Sequence, residues 1–277
     1  MSLQIRLTAT AGLLAWIWVG LAGCAGPPPT AQQIDEENHT SQVAQIMRVA
    51  ETTRRGGDLV SAAGLYRRAH TLAPKMGAPL IGLGDTLVML GALPDAVQAY
   101  ALAIEREPTD PGLRYNHGRA LVALKRPRDA IEQFQTAIGL DPNDGRAFNG
   151  LGVALDQAGD HDSARQAYLD GLRIAPDHFG LKNNLAFSML LAGEFADAVS
   201  RFEEVAGHPQ ATARTRQNLA LAYGLAGDMA KATATQDLDE AELRNNLAAY
   251  DRLRGLTAAQ RNEELLRMRN SGPSMVP

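Results

Sequence analysis

The sequence has little cysteine, little tryptophan and little net charge, and each shortage closes off a class of function. One cysteine in 277 residues excludes an intrachain disulfide. Both tryptophans, Trp16 and Trp18, fall in the first twenty residues, so the chain beyond them has none. A net charge of −4 argues against a nucleic-acid footprint. The six histidines (His39, His70, His117, His161, His178, His208) form no pair at metal-ligand spacing, and no HExxH motif occurs. His117 lies on an apolar position and reads as a packed side chain. "DPNDG" at 141–145 begins like a calcium loop but lacks the remaining ligands. Gly82-Leu83-Gly84 and Gly150-Leu151-Gly152 fall inside helical patterns, not between a strand and a helix as a phosphate loop requires. No Ser/His/Asp set is recognisable from spacing. The expectation is a non-enzymatic protein with no metal, cofactor or small-molecule substrate.

What is present begins with a leader. Arg6 supplies a positive start, residues 7–20 run apolar without a charge, and the small pair Ala22-Gly23 follows, the layout of a secretory signal peptide. The apolar run is short for a membrane span, which needs about 20 residues. Leu21-Ala22-Gly23-Cys24 resembles the lipobox of bacterial lipoproteins. That resemblance implies cleavage after Gly23, a diacylglycerol on the Cys24 sulfur and usually a third acyl chain on the new amino terminus. Several chains, at about 0.8 kcal/mol per buried CH2, would make release from the membrane negligible. Residue 25 is Ala, not the Asp of inner-membrane retention, so the same resemblance implies an outer-membrane lipid anchor with the body facing the periplasm. Residues 24–42 read as the lipidated cysteine and a flexible tether, rich in Pro, Gln and acids and without an apolar period.

The rest repeats. Pro74, Pro108, Pro142 and Pro176 are each 34 residues apart. The same step carries Ala50, Gly84, Gly118, Gly152, Ala186 and Ala220, and also Ala62, Ala96, Ala130, Ala164, Ala198 and Ala232. An aromatic series, Tyr66, Tyr100, Phe134, Tyr168 and Phe202, breaks at Gln236. Thirty-four residues hold two helices and two short connections. Small residues suit close helix crossings, and an aromatic fills the wedge between one helix pair and the next. Gly57, Gly91, Gly159, Gly193 and Gly227 mark the turn within each pair, with Lys125 as the exception. Proline after the second helix stops it from running on.

This pattern resembles the tetratricopeptide repeat, most clearly in "FNGLGVALDQAGDHDSARQAYLDGLRIAP" (148–176). The fold expected is an all-α, right-handed superhelical solenoid. Its units are 43–76, 77–110, 111–144, 145–178, 179–212 and a fading sixth at 213–238. Residues 239–277 read as C-terminal capping helices and a frayed tail, with a last helix from Thr257 to about Asn270 covering the open end. The arginines of that region (Arg252, Arg254, Arg261, Arg267, Arg269) alternate with Glu263 and Glu264 and read as a solvated surface.

A superhelix of helix pairs offers a concave face lined by the first helix of each unit. In this register the inward positions carry Tyr115, Arg119, Arg146, Asn149, Asp156, Asn183, Phe187, Arg214 and Gln217. The amides Asn149, Asn183 and Gln217 suit the edges of a peptide backbone, Tyr115 and Phe187 suit apolar anchors, and the arginines suit a carboxylate. These residues also fit a solvated, unused face. Three stretches, "LKNNLAFSMLLAG" (181–193), "RQNLALAYGLAGD" (216–228) and "LRNNLAAYDRLRGL" (243–256), sit behind the lipobox. Together they resemble the TadD-type repeat lipoproteins of tight-adherence (Tad/Flp) pilus systems. That resemblance implies a pilotin-like scaffold whose partner is the pilus secretin or another assembly component. Repeat lipoproteins that regulate a peptidoglycan synthase or the outer-membrane-protein insertion machinery are the alternative, because fold and anchor do not specify a partner.

Overall fold

The computed structural model describes residues 31–236 and 239–270. The leader, Cys24 and the tail after Asn270 lie outside them. Among the described residues there are fourteen helices and no strand. They pair in chain order: α1 (Ala31–Arg55) with α2 (Leu59–Leu72), α3 (Ala78–Met89) with α4 (Leu93–Ile104), and α5 (Pro111–Ala123) with α6 (Pro127–Leu140). The series continues as α7 (Gly145–Ala158) with α8 (His161–Ile174), α9 (Phe179–Ala192) with α10 (Phe195–Ala206), and α11 (Ala213–Ala226) with α12 (Met229–Ala234). Each pair packs on the next, which builds a solenoid; α13 (Glu240–Gly255) and α14 (Ala258–Asn270) follow.

Local chemistry sets these boundaries. The carboxylates of Asp110 and Asp144 and the Nδ1 of His178, 34 residues apart, accept backbone N–H groups at the starts of α5, α7 and α9. Asp58, Asp160 and Asp228 do the same for α2, α8 and α12. Such caps contribute about 1 kcal/mol each. Within the pairs the turn residue has positive φ: Gly57, Gly91, Gly159, Gly193 and Gly227 lie between +74° and +93°, and Lys125 stands at φ 60°. Lys125 is thus the one non-glycine residue among those described that holds the left-handed conformation.

The wedge explains the small and aromatic series together. Phe134 is fully buried, and a Cβ built on Gly118 of its own unit would stand 2.9 Å from its ring. One on Gly150 of the next unit would stand 2.4 Å away. The ring therefore fills a slot with no room for a methyl group on either side. At the sixth unit the slot changes hands. Gln236 occupies the aromatic position and its Oε1 accepts from Asn246 Nδ2 of α13 at 2.6 Å. Tyr250 of α13 instead lies against Gly224, whose Cβ would stand 2.3 Å from the ring.

Two expectations need correction. Of the flexible tether expected over 24–42, residues 31–42 are helical: after Pro29 they contain neither proline nor glycine, and Ala31, Gln32, Gln33, Glu36 and Glu37 favour helix, so α1 runs on ahead of the first unit. The last helix does not cover the solenoid's end either. That place is taken by α13, which packs on α11 and α12, while α14 turns back and lies over α9.

Candidate functional site

The concave face is divided by that return. Across units 3 and 4 it is open, a cleft of about 480 Å3 lined by Tyr115, Arg119, Val122, Lys125, Phe134, Asn149, Val153 and Gln157. Tyr115 is at its centre, half-buried, its ring tilted against Phe134 at a centroid distance of 5.9 Å. The Arg146 guanidinium lies 5.2 Å from the Tyr115 ring centroid and that of Arg119 lies 5.7 Å from it. Each such contact contributes about 0.5–1 kcal/mol at an exposed site and, more usefully here, orients the guanidinium. Arg146 is further held by Asp144, at 2.8 Å, and that guanidinium keeps the Asp144 carboxyl below the usual carboxylate range. Arg119 and Lys125 are exposed on the rim and form no ion pair with a carboxylate among the described residues. The wall is completed by Asn149, whose Oδ1 accepts from Asn184 Nδ2 at 2.9 Å, with Asn183 beside Asn184. The cleft thus offers an aromatic face, fixed amides and two cations without acidic partners.

Across units 4 to 6 the same face is filled. Asp156 and Phe187, expected on an open surface, are 0% and 3% exposed. The reason is α14, whose Leu265 is wholly buried in the cluster of Phe187, Leu190, Leu191 and Leu253. Asp156 is the polar centre of this region. Its Oδ1 accepts from Ser188 Oγ at 2.7 Å and faces His161 Nδ1 at 3.0 Å, and its Oδ2 accepts from Tyr168 Oη at 3.0 Å. Burial, then the Asp156 charge, pushes the Tyr168 hydroxyl pKa far up and keeps that donor protonated. Ser188 and His161 both meet Asp156 and form no hydrogen bond with each other, so no base is set to activate the serine hydroxyl.

From α14, Arg269 places its Nη1 3.7 Å from Asp156 Oδ2 and its guanidinium 5.1 Å from the Phe187 ring centroid. Asn262 Nδ2 lies 3.1 Å from His161 Nε2, so the imidazole bridges the groove carboxylate to α14. Arg261 stacks on Phe195 at 5.1 Å, and Arg214 of α11 donates to the backbone carbonyl of Arg269. Of two arginines expected on a solvated surface, Arg269 therefore points into the groove and Arg261 packs on Phe195 beside the α9–α10 turn.

Of the nine residues expected to line one continuous groove, Tyr115, Arg119, Arg146 and Asn149 gather around the open cleft, with Asn183 adjoining. Asp156, Phe187 and Arg214 belong to the filled part. Gln217 is half-buried on α11, further along the same face. Lys125 was identified only as a turn exception, and its place on the cleft rim was missed. His117 is buried in α5, and its surroundings push its pKa down. Among the described residues, no group of three or more His, Cys, Asp or Glu side chains is placed to hold a metal, and no helix is long and apolar enough to cross a membrane.

Comparison with known proteins agrees with this architecture. A family model described as tetratricopeptide repeat matches residues 115–179. Among curated proteins the chain is 30% identical over 124 residues to the uncharacterized protein y4yS of Sinorhizobium fredii (strain NBRC 101917 / NGR234), a match covering 44% of this chain and 68% of that protein. Among solved structures it resembles PilW, described as a widely conserved type IV pilus biogenesis factor. That match has a TM-score of 0.64 at 20% identity, over 74% of this chain and 94% of the other. For pilF of Pseudomonas aeruginosa the TM-score is 0.58 at 16% identity, over 86% and 96% of the two chains. For MamA it is 0.55 at 24% identity, over 59% and 90%. At these identities the structural likeness is one of fold.

Proposed function

From a chain that is a tetratricopeptide-repeat protein and belongs to one family with Sinorhizobium fredii y4yS, we propose a lipid-anchored, non-enzymatic assembly scaffold for a pilus. Its open cleft holds a segment of a partner protein, and the lipid on Cys24 carries the pair to the outer membrane with the repeats in the periplasm. The partner proposed is a secretin of the Tad/Flp type, in keeping with the lipobox and with the fold shared with a pilus biogenesis factor, PilW.

The observation that carries this reading is the cleft at Tyr115. Contacts with two guanidinium groups and with the Phe134 ring fix the orientation of Tyr115, so an incoming segment meets a pre-oriented side chain at little entropic cost. Arg119 and Lys125 supply unpaired charge for a carboxylate of the incoming segment, and Asn149 supplies a fixed amide for its backbone. Lys125 strengthens the case. A left-handed lysine costs about 1–2 kcal/mol where the sister turns use glycine, and such strain concentrates at functional positions. Anchoring both partners to one membrane raises their effective concentration, so the cleft need not bind tightly.

The test is capture from detergent-solubilised envelopes, with eluted proteins identified by mass spectrometry. The secretin is expected with the parent chain and is expected to be lost with Tyr115→Ala combined with Arg119→Glu, at unchanged helical circular dichroism. Secretin captured equally by both proteins would remove the cleft from the reading, and a peptidoglycan synthase or insertase captured in its place would remove the pilus. Separately, Cys24→Ala is expected to abolish outer-membrane fractionation; a variant that still fractionates there would contradict the anchor.

A further inference from the structure

The filled half of the groove already holds one helix, α14, and the contacts of that helix show the chemistry the site accepts. Three contacts on one helix make the fit. Leu265 is wholly buried between α9 and α13, four residues before Arg269, so both side chains leave the same face of α14. Arg269 enters between the Phe187 ring and the Asp156 carboxylate. Arg214 then donates to the Arg269 carbonyl, at the helix end where carbonyls lack intrahelical partners and the dipole favours a cation. An apolar anchor, a cation four residues on and a carbonyl end met by arginine make a recognition pattern that any helix can present.

The resident helix fills this receptor imperfectly. Arg261 Nε, Asn262 Oδ1 and Arg269 Nη1 are buried without a hydrogen-bond partner, and Arg269 stands 3.7 Å from Asp156, an ion-pair distance but too long for a hydrogen bond. On the receptor side Tyr250 Oη of α13 is also without a hydrogen-bond partner, but the carboxylate is tightly held: Ser188, Tyr168 and His161 meet Asp156 within 3.0 Å, and the first two of these contacts do not involve α14. Only Leu256 and Thr257 join α14 to α13, and most of its outer face is exposed. It is a tethered ligand on a two-residue link, so proximity contributes to its hold beside these contacts.

We infer that α14 is a displaceable plug, and that the groove of units 4 to 6 receives from a partner an amphipathic basic helix carrying an aliphatic residue four positions before an arginine or lysine. A partner helix that brings its cation to hydrogen-bond distance of Asp156 outcompetes α14. This site is distinct from the open cleft, so a two-part partner would engage the groove along its whole length.

The test uses the full chain in detergent and a fluorescein-labelled peptide with the sequence of residues 257–270 (TAAQRNEELLRMRN). Fluorescence anisotropy reads peptide binding in trans, and amide hydrogen exchange reads release of the resident helix. In the parent the peptide competes with α14 and binds weakly. Leu265→Asp, or Arg269→Glu where the first variant folds poorly, is expected to raise exchange across 258–270 while leaving 78–158 unchanged. Peptide affinity is expected to rise at least tenfold in the released variant, and a peptide with glutamate at the position of Arg269 is expected to lose that gain. Release without a gain would show that the groove is no helix receptor. No release would show that α14 is not held as described, and equal binding of the glutamate peptide would remove Asp156 from recognition. Each of these outcomes overturns the inference without touching secretin capture at the open cleft.

Discussion

Two halves of one concave face, built on the same 34-residue unit, have opposite characters. In units 3 and 4 the inward positions present Tyr115 in contact with Arg119 and Arg146, a cationic and aromatic surface open to solvent. In units 4 to 6 the corresponding positions present Phe187 and Asp156, an aromatic ring and a carboxylate closed beneath α14. The ninth position of the repeat illustrates the change: Arg119 in unit 3 is exposed, and Phe187 in unit 5 is buried. The scaffold decides where a side chain points, and the residue placed there decides whether the position recruits the chain's own last helix or leaves room for another protein.

That contrast can be broken or sharpened by substitution. The largest effect is expected from Phe134→Ala, which empties the slot between Gly118 and Gly150 under the open cleft. It should cost about 3–5 kcal/mol in chemical denaturation followed by circular dichroism. Because a solenoid is coupled mainly between neighbours, exchange should rise first across 111–158 and later in α11 and α13. Ser188→Ala acts on the other half. It removes a 2.7 Å hydrogen bond to a buried carboxylate, worth about 1.5–3 kcal/mol, and should loosen α14 while leaving the Tyr115 cleft intact. Smaller still is Lys125→Gly, expected to stabilise the chain by about 1 kcal/mol by relieving the left-handed lysine, and to weaken capture of the proposed partner by removing a rim cation. An unchanged melting temperature would mean that this turn carries no strain.

A last prediction concerns pH. Burial, then the Arg114 and Arg126 charges, depresses the His117 pKa below its ordinary value near 6.5. The unfolded chain therefore binds the proton more readily than the folded one. Stability from this group is complete above pH 6.5 and falls as the pH drops through and below that value. His117→Leu, which restores the residue usual at that repeat position, should flatten the pH dependence of stability between 7 and 5. Since His117 is in α5, the open half should loosen first on mild acidification. A variant as pH-sensitive as the parent would place the titrating group elsewhere.

How much of this was legible in the sequence follows from the range of each contact. Phe134 meets Gly118 and Gly150, both sixteen residues away, so the contact that builds the wedge recurs at a fixed step and shows as a period. The turn glycines and the capping aspartates are equally local. The inward positions were legible for the same reason, and they led to Tyr115, Arg119, Arg146 and Asn149. The return of α14 was not legible, because its contacts are made once and at long range: Asn262 and His161 are 101 residues apart. No repeat unit has an equivalent of α14, so no period announces it. The alternation of Arg261, Glu263, Glu264 and Arg267 reads as a solvated face, and only the packing shows that Arg269 enters the groove and Arg261 stacks on Phe195 while Arg267 pairs with Glu264 outside. At the other end, α1 extends to Ala31 through residues whose helix propensity was read as mere polarity.

The central claim, one half open and one half plugged, is tested most directly by amide hydrogen exchange on the unmodified full chain, read by mass spectrometry. The account predicts that 258–270 exchanges far more slowly than an unstructured segment, yet faster than α7 and α9 beneath it. Exchange across 258–270 at the rate of an unstructured segment would contradict it, because the groove of units 4 to 6 would then be as open as the cleft at Tyr115.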